Sequence, residues 1–221
     1  MRSLLLGLVL VAIPALGDGG AVSIRLYTHF QQAPPDAVMD SIQDEMARIM
    51  STIGLAFKWS SLTENKGNEL SARLAVIHFT GHCDVVNLAT LNSRSGALGW
   101  TYMTDGAILP FSDIDCDGIR AFLQADLLAK PKEGHEDAFG RAVGRVLAHE
   151  LYHIFANTSR HSSHGVAKPY YSAQELLSKS FKFEPKECEE LRRYWSDLVT
   201  GAFRKPVTTG VPPETSSDSG N

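Results

Sequence analysis

The sequence predicts an α+β fold: a mixed sheet with an N-terminal helix and a long later helix on one side, followed by a small helical C-terminal part. Two observations carry this expectation. The chain reads strand, helix, several strands and then helices, an order that suits one sheet covered by helices. Its 221 residues are 43% hydrophobic and 21% charged, which fits one globular domain and excludes a disordered chain or a multi-span membrane protein. A net charge of −4 leaves no electrostatic footprint for nucleic acid or anionic lipid.

Residues 1–17 read as a secretory signal peptide, with Arg2 as the only charge before an apolar run and a small-residue exit at Ala15-Leu16-Gly17. The run is shorter than the ~20 residues a membrane-spanning helix needs. The expectation is therefore an exported chain, periplasmic or extracellular, with no stable membrane insertion after processing. Cleavage is placed after Gly17, with a site after Ala21 as second choice. Residues 18–204 then form the folded domain. Residues 205–221 have almost no apolar content and read as a disordered tail.

Within the domain, residues 21–27 alternate and are β-branched, as a first strand requires. Pro34-Pro35-Asp36 opens a helix to residue 52, with Val38, Ile42, Met46, Ile49, Met50 and Ile53 at helical spacing and Gly54 ending it. Strands follow at 55–59 and 73–79, with a loop at 65–68 between them. Two more strands, 97–103 and 107–111, are joined by the turn Thr104-Asp105-Gly106. A helix at 117–129 stops before Pro131, and a long one follows at 135–156. A short helical piece at 172–180 and a last helix at 185–203 complete the chain.

Export changes how the three cysteines read. Cys83, Cys116 and Cys188 allow one disulfide in any of three pairings. Cys83–Cys116 is favoured, because it ties together the two flanks of the middle sheet region, while Cys188 sits in a helical segment where burial suffices. Their spacing contains no CxxC, so no zinc knuckle or thioredoxin-like motif is present.

The chemistry lies in His149-Glu150-Leu151-Tyr152-His153, an H-E-x-x-H motif within the long helix. Residues four apart share a helix face, so both imidazoles reach one metal ion, and Glu150 stands beside it as general base for a water. Projected on the helix, Phe139, Val143, Val146, Leu147 and Ile154 form an apolar stripe with the two histidines at its margin. Arg141, Arg145 and Tyr152 fall on the opposite, polar side. Gly140 and Gly144, one turn apart, let another element pack closely against this helix.

On these residues the chain resembles the zincin metallopeptidases and leans toward their metzincin branch, although no methionine follows the motif to form a Met-turn. The resemblance implies a zincin-like mixed sheet and a zinc ion (Zn2+) held by His149, His153 and a third ligand. It implies a secreted zinc-dependent hydrolase, a peptidase acting on peptide or protein substrates with Glu150 as catalytic base. In metzincins the motif extends to a glycine and a third histidine, but those positions here are Ala156 and Ser159. Asn157 can take the left-handed conformation that ends a helix, which brings His161 forward as third ligand on a slightly longer turn. His164 in the same loop is an alternative. So is Glu175, at the spacing by which gluzincins supply a glutamate from a later helix. Leu98-Gly99-Trp100-Thr101 partly matches the LGxA-like edge strand with which zincins pair an extended peptide. Tyr170 and Tyr171 are candidates for oxyanion stabilisation.

A second motif, Asp113-Ile114-Asp115-Cys116-Asp117-Gly118, opens like a calcium (Ca2+) loop, but Gln124 stands where the bidentate glutamate belongs. The competing expectation is a turn whose acids favour the start of the next helix. A rival to the enzyme also stands at this level. It is an exported, non-catalytic zinc-binding domain in which the loop after the helix closes a four-ligand structural shell with His161 and His164.

Overall fold

The computed structural model describes residues 22–63 and 74–199, so the expected signal peptide (1–17), the 65–68 loop and the expected tail (205–221) lie outside the described residues. The elements run β1 (Val22–Phe30), α1 (Asp36–Met50), β2 (Leu55–Ser61), β3 (Leu74–Thr80), β4 (Gly99–Thr104) and β5 (Ala107–Asp115). Then come α2 (Cys116–Leu128), α3 (His135–Phe155), the four-residue α4 (Ala173–Leu176) and α5 (Pro185–Val199). The architecture is α+β, with one five-stranded mixed sheet in the order β2-β1-β3-β5-β4. Neighbouring strands are parallel except β4, which pairs antiparallel with β5 at the edge. No helix among the described residues is long and apolar enough to cross a membrane.

The expected apolar face of α1 forms one side of the core: Val38, Ile42, Met46, Ile49 and Met50 are fully buried. Each such side chain contributes about 1.5–3 kcal/mol when removed from water. A 3-10 turn follows, and Gly54, at φ 78°, reverses the chain into β2. That left-handed conformation is one a side chain resists. Alternating burial along β3 (Ala75, Ile77 and Phe79 inward; Val76 and His78 half-exposed) turns one sheet face to the helices. Asp105 and Gly106 both have positive φ, the two-residue turn that matches strand twist and carries β4 back along β5.

The long helix departs from the expected two-sided pattern. Of its 21 residues only Glu136, Asp137 and Arg141 are not buried. Arg145 and Tyr152, expected on the polar side, are 1% and 3% exposed. The reason is that α3 runs through the middle of the molecule, packed on α1, on β4 and β5, and on the C-terminal helices. Arg145 is accommodated because its guanidinium donates to Glu45 and to the carbonyls of Glu175, Leu176 and Ser178. The Tyr152 hydroxyl donates to Glu190. Gly140 and Gly144 act as expected: a Cβ at Gly140 would lie 2.7 Å from the Val38 carbonyl oxygen, and one at Gly144 3.0 Å from that of Ile42.

Cys83 and Cys116 form a disulfide that ties the segment after β3 to the first residue of α2, while Cys188 is free and buried. The calcium expectation finds no support. The strand runs through Asp115 and α2 starts at Cys116, so no loop exists for a cation to fill. Asp115 instead caps α2 by accepting from the Gly118 N–H (2.8 Å), Asp117 meets His82 and Arg120, and Asp113 accepts from the Tyr102 hydroxyl. Gln124 donates to the carbonyls of Leu88 and Leu91.

Candidate metal centre and active site

The last turns of α3 bring His149 and His153 together with their Nε2 atoms 3.1 Å apart. Tetrahedral ligands at the usual zinc–nitrogen length stand roughly 3.3 Å apart, so this spacing suits a shared metal ion. After the helix, Asn157 takes φ 46° and the Thr158 N–H returns to the His153 carbonyl. That turn directs the following loop back over the helix end. His161 then stacks on His149 with centroids 5.3 Å apart and meets His153 edge-on at 4.9 Å. One ring nitrogen from each of the three lies within 4.8 Å of the others.

The tautomers follow from the neighbours. His149 Nδ1 donates to the Val166 carbonyl at 2.8 Å, and His153 Nδ1 to the Thr158 carbonyl at 2.7 Å. A carbonyl only accepts, so each Nδ1 carries the proton and each Nε2 presents a lone pair to the other. Burial holds His149 at about 3 and pushes His153 and His161 below the ordinary histidine range. Facing lone pairs on buried neutral rings repel unless a cation lies between them. The donor chemistry of the site therefore fits a bound metal.

Glu150 is 4% exposed and lies against β4. Its approach is permitted by Gly99, where a Cβ would stand 3.0 Å from Glu150 Oε1. Burial pushes its carboxyl up to about 7, against the opposing hydrogen bond from the Thr101 hydroxyl (2.8 Å). Thr101 is in turn 2.8 Å from the Ser112 hydroxyl, so two hydroxyls in series reach the carboxylate. A cleft of about 490 Å³ opens on this group, bounded by His149, Glu150, Gly99, Leu98, Phe122 and Tyr170. Its floor is α3 and one wall leads from β4, an outer strand of the sheet.

Of the alternative ligands, neither joins the triad. Glu175 forms a capping box with Ser172 and pairs with Lys168, which holds its carboxyl down at about 2. His164 is exposed and its Nδ1 meets the Ser163 hydroxyl at 2.8 Å. Tyr171 turns its hydroxyl to the Val166 carbonyl, 3.1 Å from His149 Nδ1, so it stands behind His149 and away from the Nε2 side. Tyr170 is 82% exposed at the cleft. Sequence reading did not single out Ser112, Val166 or Glu187. They come from distant segments, and no short motif signals them.

No family model and no curated protein matches the sequence. Among solved structures, the crystal structure of archaemetzincin from Methanopyrus kandleri is similar in outline, at 14% identity over 82% of this chain and 99% of that one, with a TM-score of 0.47.

Proposed function

We propose that this chain is a zinc-dependent hydrolase that cleaves peptide bonds, with His149, His153 and His161 as the metal ligands and Glu150 as the general base. The observation that carries the reading is the convergence of three imidazoles, two with their lone pairs fixed inward, beside a buried carboxylate on a cleft. Zinc bound there would supply Lewis acidity, lowering the pKa of a water and polarising a carbonyl. Glu150 accepts the proton of the attacking water and returns it to the leaving amine. Its carboxyl, raised by the dry surroundings and steadied by Thr101, has the basicity that task needs near neutral pH. The edge strand β4 lies beside the cleft and offers backbone groups to an extended peptide or protein substrate. The Cys83–Cys116 disulfide supports the proposal that the signal segment delivers the chain to an oxidising compartment outside the cytoplasm.

Among the described residues the cluster offers three nitrogen donors, so a zinc held by them would keep a position for water, as catalytic zinc sites do. The test is metal analysis combined with Glu150→Gln. The variant should keep about one zinc per chain and lose about 10²–10⁴-fold in peptide hydrolysis. Protein that purifies without zinc, or a variant that hydrolyses peptides at the wild-type rate, would overturn the reading.

A further inference from the structure

We infer that Glu187 of α5 is a positioning residue of the metal centre, acting on His149 through the Val166–Ala167 peptide and on the loop that carries His161. This inference rests on the metal-site reading above. Glu187 is 2% exposed, a buried carboxylate that the proposed reaction does not use. Its Oε1 accepts from the Ala167 N–H (3.2 Å), and its Oε2 accepts from the Glu184 N–H (2.9 Å). The carbonyl on the other side of the Val166–Ala167 peptide is the one that receives the His149 Nδ1 proton. One planar amide thus joins the two groups, with its N–H on the carboxylate and its C=O on the imidazole. A carboxylate on the N–H polarises the amide and makes its oxygen a stronger acceptor. The effect passes to Nε2, which becomes a more basic ligand. The arrangement is the carboxylate–histidine pair of metal sites with a peptide unit inserted.

The same carboxylate shapes the loop. The Ser162 hydroxyl, next to His161, lies within reach of both Glu187 Oε1 and the His164 carbonyl, sharing one proton between them. The Ser162 N–H closes the loop on the Ala167 carbonyl at 2.9 Å. At Gly165, φ is 73° and a Cβ would stand 2.9 Å from Glu187 Oε2, so the loop is built around this acid. Glu190, one turn further along α5, instead accepts from the Tyr152 hydroxyl.

The experiment titrates the full chain with zinc against a chromophoric chelator and records the visible spectrum of the cobalt-substituted protein. Glu187→Gln, which removes the charge in the same shape, should weaken zinc binding about 10- to 100-fold. It should also shift the cobalt bands as His149 becomes a poorer donor. Glu187→Asp, which keeps the charge but withdraws it from the Ala167 N–H, should weaken binding as well. Glu190→Gln should bind zinc like the wild type. Thermal unfolding of the metal-free variants separates the alternatives. If Glu187 only anchors α5, its variants lose stability while zinc affinity and cobalt spectrum stay unchanged, and the inference falls. Wild-type protein that binds no zinc overturns this inference together with the metal-site reading; wild-type binding with unchanged Glu187 variants overturns this inference alone.

Discussion

At the residue scale, the site is a matter of where protons sit. The two carbonyls behind His149 and His153 fix which nitrogen is free, and burial, opposed by the Thr101 hydroxyl, sets how basic Glu150 is. Thr101 donates to the ionised carboxylate, so it lowers a carboxyl that burial raises to about 7. Thr101→Val should therefore raise it further, and a group needed as carboxylate then loses activity at higher pH. The acid limb of the pH–rate profile is expected to move up by about one unit, the worth of a hydrogen bond to a charged group. An unmoved limb in steady-state kinetics would remove Thr101 from this role. The histidine pair and Glu150 are legible in the sequence because helix geometry alone sets their spacing. His161 is half-legible: Asn157 at φ 46° supplies the expected turn, but choosing between His161 and Glu175 needs the path of the whole loop. Glu187 is not legible, since its link to His149 spans 38 residues of sequence and runs through a backbone amide.

At the element scale, α3 acts as the molecule's axle. Gly140 and Gly144 let α1 approach so closely that a methyl group has no room beside the Val38 carbonyl. An exposed helical glycine gains about 1 kcal/mol on becoming alanine. Gly140→Ala should show the opposite sign, a loss of about 1–3 kcal/mol in denaturant unfolding, from overpacking. The charges across the same interface set a pH dependence. Burial raises the Glu45 carboxyl, but hydrogen bonds from Arg48 and Arg145 outweigh it and hold the group below its ordinary value of 4.5. A lowered folded-state value means stability that is present above the unfolded-state value and lost as pH falls through the folded-state one. Glu45→Gln should flatten the acid side of the stability–pH curve. It should also cost about 3–5 kcal/mol at neutral pH by leaving Arg145 buried and unpaired. The polar side expected of α3 failed for this reason: helical periodicity shows which residues are charged, and only tertiary pairing shows that a charge can be buried.

At the scale of the whole molecule, the order of strands and helices was readable because period-2 and period-3.6 patterns alternate clearly along the chain. Sheet order was not, because β3 inserts beside β1 and sends β2 to the far edge, a choice made by long-range pairing. The acids at Asp113–Gly118 left two readings open because a motif of residue types does not say whether its backbone is loop, and here strand meets helix without one, with Asp115 as the cap. The favoured Cys83–Cys116 pairing closes a 33-residue separation between the segment after β3 and the start of α2. Its reduction should lower stability by about 2–4 kcal/mol, seen as a fall in Tm with added dithiothreitol. The proposed function depends on three imidazoles, from one helix and one loop, holding a single ion. X-ray absorption at the zinc edge of the purified chain tests that arrangement. One zinc per chain, with three imidazole nitrogens and one oxygen at about 2.0–2.1 Å, is the expected ligand set, and His161→Ala should reduce it to two imidazoles. A chain without stoichiometric zinc, or a spectrum that His161→Ala leaves unchanged, would contradict it.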